Sequence, residues 1–183
     1  AGEAYVVFGA AGGWSAVFDL AALNGIHGFR LEGVDAEDQA GYSVAGAGDV
    51  NGDGLDDLII GAIGGDGYAG ETYVVFGAAG GWGATFDLAS LNGANGFRLD
   101  GIDAGDWSGY SVASAGDVNG DGFDDVIVGA MRADAGETYV VFGAASGWSA
   151  SLDLATLDGM IGFRLDGIDP GDFAGISVAG AGD

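Results

Sequence analysis

Apolar residues in this chain come in short runs that follow one another in a fixed order. Tyr5-Val6-Val7-Phe8, Phe29-Arg30-Leu31, Ser43-Val44-Ala45 and Leu58-Ile59-Ile60 are each followed within a few residues by Gly or Asp. Runs of this length, rich in β-branched and aromatic residues and bounded by turn formers, predict strands. The series then returns. Residues 1–9 recur as 69–77 and 135–143, at offsets of 68 and 66. Each unit continues through a Gly-rich segment around Trp14, Trp82 or Trp148 to a Gly-Phe-Arg-Leu strand at 28–31, 96–99 or 162–165. It then passes an acidic turn, a Ser-Val-Ala strand, an acidic loop and an apolar strand, giving four short strands per unit. Internal repetition of this kind decides the architecture before any other reading.

The acidic loop occurs twice, as Asp-Val-Asn-Gly-Asp-Gly-Leu-Asp-Asp at 49–57 and Asp-Val-Asn-Gly-Asp-Gly-Phe-Asp-Asp at 117–125. Oxygen-bearing side chains stand at loop positions 1, 3, 5 and 9, with Gly at 6 for a sharp turn. That pattern offers a hard cation the oxygen shell Ca²⁺ prefers. Asp49, Asn51, Asp53 and Asp57 form one expected set of ligands, and Asp117, Asn119, Asp121 and Asp125 the other. Position 7 faces such an ion through its backbone carbonyl, so Leu55 and Phe123 complete the two sites while keeping apolar side chains. An EF-hand needs a Glu at position 12 and flanking helices. Here position 12 is Ile60 or Val128, and both flanks read as strands, so each loop belongs to a β-hairpin. A plain Asp/Asn/Gly turn is the alternative, but such turns have no need of four oxygen ligands at odd positions, twice.

Four antiparallel strands per repeat suit a propeller blade, a small twisted sheet that hides its faces against its neighbours. With its Phe-Gly and Gly-Ala strands flanking the acidic loop, the chain resembles the FG-GAP repeats of integrin α-subunit β-propellers and of many secreted bacterial proteins. It departs from their pattern at Ile63 and Met131, where Pro is usual, and at Ala40 and Ser108, where Phe is usual. The resemblance implies an all-β fold of four-stranded antiparallel blades, ordered from the hub outward as Ser-Val-Ala, Leu-Ile-Ile, Tyr-Val-Val-Phe and Phe-Arg-Leu. It divides the chain into a partial blade (1–40), two complete blades with calcium loops (41–108 and 109–174) and the first strand of a truncated blade (175–183), an incomplete propeller. Asp183 is then position 1 of a further loop, and the ends are expected to meet as a composite blade, between copies or with further repeats.

Composition changes this picture in three ways. The formal charge of −24, from 28 acids against four arginines and no lysine, excludes nucleic acid as a partner, because phosphate binding needs basic patches. Strong acidity together with calcium loops suits divalent-rich surroundings, so a secreted or cell-surface protein with no membrane insertion is expected, and the resemblance implies a bacterial one. The absence of an initiating Met reads as a processed or excised piece. Without Cys or Lys, thiol and Schiff-base catalysis are unavailable, and acids at equivalent positions in each unit argue against a unique catalytic pair.

The remaining candidates have structural readings beside functional ones. Asp35/Asp38, Asp103/Asp106 and Asp169/Asp172 either bond their own turns or form a second cation site. Glu3, Glu71 and Glu137 are expected in blade-to-blade hydrogen bonds. Trp14, Trp82 and Trp148 either fill gaps between blades or stack on sugars, and Trp107 lies on the face opposite the loops, which in integrins receives ligand. The non-repeated His27 reads as a surface variation. The leading function is a calcium-stabilised extracellular binding or adhesion module without enzymatic activity, with a protein or glycan ligand. The rivals are a self-assembling structural unit and the accessory propeller of a secreted carbohydrate- or lipid-active enzyme.

Overall fold

Every apolar run named above forms a strand except the last. The structure is a computed structural model that describes residues 1–181. Its strands are β1 (Glu3–Val7), β2 (Gly28–Glu32), β3 (Ser43–Gly48), β4 (Asp57–Ala62), β5 (Glu71–Val75), β6 (Thr85–Asp87), β7 (Gly96–Asp100), β8 (Ser108–Gly116), β9 (Asp125–Ala130), β10 (Glu137–Val141), β11 (Ser151–Asp153) and β12 (Gly162–Asp166). Two sheets repeat the expected order, β3-β4-β5-β7 and β8-β9-β10-β12, and β1-β2 form the outer half of a third. All pairs within these units are antiparallel.

Two strands were not foreseen. β6 and β11 lie in the long Trp-bearing connections and pair in parallel with the outer strand of the preceding unit, β6 with β2 and β11 with β7. Each therefore closes an edge that would otherwise present unpaired amides. The strand expected over 175–183 is not formed in its described part, residues 175–181. In complete units the equivalent strand pairs with the strand after the acidic loop, and the described residues supply no such partner. Position 183 lies outside the described residues.

The core follows the period-2 alternation of the strands. Ile60, Tyr73 and Val75 face the first unit and pack with Phe29, Leu31 and Leu88. Their neighbours Ile59, Val74 and Phe97 point the other way, onto Val126, Val128, Tyr139 and Leu154 of the third unit. The middle sheet is thus buried on both faces, which is why β4 and β5 read as continuous apolar runs. Trp82 stacks on Phe29 with ring centroids 4.2 Å apart, and Trp148 on Phe97 at 4.1 Å. Gap filling between blades, not an open sugar platform, is the role of these two.

Near the inner strands the units approach through backbone. Ser43 Oγ donates to the Gly109 carbonyl at 2.7 Å, and Ser111 Oγ donates to that of Gly175 at 2.7 Å. A Cβ on Gly61 would stand 2.0 Å from the Gly109 oxygen, and one on Gly129 2.0 Å from that of Gly175. Only glycine permits this approach. Gly61→Ala is therefore expected to force the second and third units apart, at a cost of about 1–3 kcal/mol as for other overpacked sites. Gly46→Ala, on an open face of β3 with nothing within 4 Å of the new Cβ, is expected to leave stability unchanged; urea unfolding of the two variants against the parent checks the contrast.

Candidate functional site

Each acidic loop joins the two inner strands of its unit. The first leaves β3 after an irregular register between Gly46 and Gly48 and enters β4 at Asp57; the second leaves β8 and enters β9 at Asp125. Gly52 and Gly54, and likewise Gly120 and Gly122, take positive φ where the chain doubles back. The side chains at positions 1, 3 and 5 wind the loop by accepting its own amides. Asp49 Oδ1 accepts from Asp53 N at 3.0 Å and Oδ2 from Gly54 N at 2.9 Å, while Asn51 Oδ1 accepts from Asp53 N and Asp53 Oδ1 from Leu55 N, each at 2.9 Å. Asp117, Asn119 and Asp121 repeat these bonds.

Asp57 and Asp125, at position 9, are fully buried at the foot of the loops. Asp57 accepts from the amides of Val50 at 2.9 Å and Gly77 at 2.7 Å, and Asp125 from those of Val118 and Gly143, both at 2.8 Å. Burial pushes the Asp57 carboxyl up to about 6; the two amides oppose this, and the charges of Asp53 and Asp49 add to it. Asp125 moves the same way, first through burial, against its amides, and further through Asp121 and Asp117. Asn51 and Asn119 hold Asp53 and Asp121 by side-chain hydrogen bonds. Among the described residues no three acidic side chains converge on one point as a closed cage. The donors are nonetheless all oxygen, each carboxylate keeps lone pairs beyond those given to amides, and their negative charge is crowded. In donor chemistry they fit a hard cation.

A model of the FG-GAP repeat family matches residues 40–75 and 108–141, the two spans that carry these loops. These units are FG-GAP repeats. The chain is also similar to integrin alpha-6 of Gallus gallus, 33% identical over 165 residues that cover 87% of the chain and 13% of the relative. Integrin alpha-6 of Homo sapiens is 33% identical over 144 residues, covering 76% of the chain and 11% of the relative. The chain thus spans only about an eighth of the length of these relatives. FG-GAP repeats build β-propeller blades, and the three sheets are blades of an incomplete propeller.

Position 8 of the FG-GAP loop carries a function that its spacing conceals. Asp124 Oδ2 accepts from Asp49 N at 2.8 Å, and the Asp124 amide donates to the Asp49 carbonyl. The Phe123 ring lies over Gly52, and Ala144 N donates to the Val50 carbonyl. The second loop is therefore bolted to the first. Asp56, at the same position of the first loop, has no equivalent contact among the described residues. Asp124 is thus an interblade link, and no signal in the loop itself marks it as one.

Glu3, Glu71 and Glu137 were expected to bridge blades, but their bonds lie within one. Tyr5, Tyr73 and Tyr139 donate to them from two residues along the same strand, and Arg30, Arg98 and Arg164 pair with them from the facing outer strand at 3.4, 3.2 and 3.1 Å. The Tyr and Arg stand directly opposite in register, so period 2 brings all three groups to one face. Two of the acidic turns bond their own backbone, Asp35 N donating to Asp38 Oδ2 and Asp169 N to Asp172 Oδ2, and in the third Asp106 N donates to the Asp103 carbonyl. Trp107 lies under the Arg132 guanidinium, 3.9 Å from the ring centre. His27 is exposed beside Trp14.

Two outcomes follow. Asp124→Ala is expected to destabilise the chain by about 1.5–3 kcal/mol, the range for a hydrogen bond to a charged group, while Asp56→Ala costs well under 1; paired denaturation curves check this. With divalent ions chelated, stability should fall as pH rises from about 4 to above 6. Below that window Asp57 is protonated in folded and unfolded chains alike and carries no penalty; above it, folding must bury an ionised carboxylate. Urea midpoints in EDTA across this window test the sign.

Proposed function

We propose that this chain is a calcium-stabilised, extracellular segment of a β-propeller acting as a non-enzymatic binding or adhesion module. The observation that carries the reading is the pair of oxygen-only loops, each with a buried carboxylate whose proton affinity is raised by burial and by two neighbouring acids. Asp49, Asn51, Asp53 and Asp57 hold one ion and Asp117, Asn119, Asp121 and Asp125 the other, with the carbonyls of Leu55 and Phe123 as further donors. Bound Ca²⁺ supplies positive charge that relieves the crowding of these acids. The chain's own residues do the rest: amides at 53, 54 and 55 orient the donors, and the Asp57 and Asp125 bonds to Gly77 and Gly143 tie each loop to the strand-end of its own blade.

The relatives that match are integrin alpha chains, which supports an adhesion role and a protein ligand outside the cell. Among the described residues no helix is long and apolar enough to cross a membrane.

Millimolar Ca²⁺ is expected to raise the melting temperature over the EDTA sample. At a concentration a hundredfold above the dissociation constant, each site contributes about 2.7 kcal/mol. Calcium should also reverse the pH trend expected in EDTA, because metal and proton compete for the same carboxylates. Asp53→Ala with Asp121→Ala should remove most of the response. Equal melting midpoints with and without calcium would overturn the assignment.

A further inference from the structure

Two hydrogen-bonded routes join the donors of the second acidic loop to those of the first, and both lie wholly inside the chain. One passes through Asp124, which stands between the position-7 carbonyl of Phe123 and the position-9 carboxylate of Asp125. Its Oδ2 accepts from the amide of Asp49 at 2.8 Å, and its own amide donates to the Asp49 carbonyl at 3.2 Å. Asp49 is position 1 of the first loop. The fit is close: a Cβ on Gly48 would stand 2.1 Å from Asp124 Oδ2, and one on Gly52 2.3 Å from the Phe123 ring.

The other route uses two successive amides just beyond β10. Gly143 N donates to Asp125 Oδ1 at 2.8 Å, and Ala144 N donates to the Val50 carbonyl at 3.0 Å. Val50 N donates in turn to Asp57 Oδ2 at 2.9 Å. The position-9 carboxylates of the two loops are therefore connected through Gly143, Ala144 and Val50. Val50 is fully buried in the core cluster it shares with Val126 and Val128 of the third unit, so it moves only with that unit. Both ends of the first donor set, Asp49 and Asp57, are thus held by residues that also hold or adjoin Asp125.

We infer that the two loops take up calcium cooperatively, each raising the affinity of the other. The inference rests on the calcium reading given above and assigns the regulation of those sites. The acids of neither loop converge on one point among the described residues, so taking up an ion draws its donors inward. Ordering the second loop fixes Asp124 and the Gly143–Ala144 amides. The first loop, whose backbone leans on those groups, then has less freedom left to lose on binding. Linkage makes the effect reciprocal. Repulsion between two bound dications acts the other way, but salt screens it beyond about 8 Å at physiological ionic strength, whereas the hydrogen bonds are direct contacts.

Calcium titration of the full chain in about 0.15 M NaCl, followed by the backbone amide signals of Gly54 and Gly122 in NMR spectra, reads the two loops separately. In the parent both signals are expected to respond over one steep concentration range. Asp121→Ala, which disables the second loop, should raise the calcium midpoint at Gly54 about tenfold, within the usual range of coupling between sites. Asp53→Ala should raise the midpoint at Gly122 by a similar factor. Calcium loading of the second loop alone, in the Asp53→Ala chain, should slow hydrogen exchange at the Asp49 amide. Asp124 engages Asp49 twice and is assigned most of the effect, so in an Asp124→Ala background the shift caused by Asp121→Ala should shrink to about threefold or less. Asp124→Asn, which keeps an oxygen to accept from Asp49 N, should preserve it. Calcium midpoints at Gly54 that do not change with Asp121→Ala would overturn the inference while leaving calcium binding itself intact. Coupling undiminished by Asp124→Ala, or exchange at Asp49 indifferent to the second loop, would do the same. A chain in which neither signal responds to calcium would overturn the calcium reading and this inference with it.

Discussion

A sheet of strands five or six residues long has two apolar faces, and neither can be left in water. Everything else in this chain answers that constraint. The middle blade meets it fully, with Ile60 and Tyr73 turned to one neighbour and Ile59 and Phe97 to the other. Burial is supplied by adjacent units and not by a separate central core, so the stability of any blade is mostly a property of its junctions. The glycines at 61 and 129 belong to the same logic. They remove the side chain at the one place where two backbones must nearly touch.

Charge is distributed against this apolar frame in two ways. Where an acid lies within a blade it is answered by protein: Glu71 by Tyr73 and Arg98, Glu137 by Tyr139 and Arg164. Three of the four arginines are spent on such ladders. In the loops between inner strands no basic side chain is offered among the described residues, and only amides and Asn51 or Asn119 face the carboxylates. The loops are therefore the part of the fold where clustered acids meet no basic side chain among the described residues, and amide bonds alone do not return Asp57 to the usual carboxylate range.

Much of this was legible in the residues. Repetition points to the strands and their order, because a run such as Tyr-Val-Val-Phe is rich in residues that favour strands and recurs in every unit, bounded by Gly and Asp. What stayed hidden depends on contacts between units. Thr85–Asp87 and Ser151–Asp153 are too short to show alternation, and they become strands only because β2 and β7 stand beside them. The link from Asp124 to Asp49 joins residues 75 apart in sequence. Glu71 bonds within its blade and not across blades because the Arg98 that answers it comes from a strand 25 residues on, and the recurrence of Glu-x-Tyr with Gly-Phe-Arg in every unit is the signal that period 2 pairs them. The strand expected at the C-terminal end fails in its described part for the same reason in reverse: its sequence is suitable, but no partner strand stands beside it among the described residues.

The parallel strands β6 and β11 also bear on how the chain is made. The edge of β2, at Gly28–Glu32, is covered by residues 85–87, and that of β7, at Gly96–Asp100, by residues 151–153. In both cases the cover is encoded about fifty residues after the edge it protects. During synthesis from the N-terminus, each blade therefore emerges with its outer strand bare and waits for the next unit before it is sealed. The nascent chain carries an open β-edge at its growing front throughout, and the time that edge is exposed is set by the speed of translation through the intervening loop and hairpin.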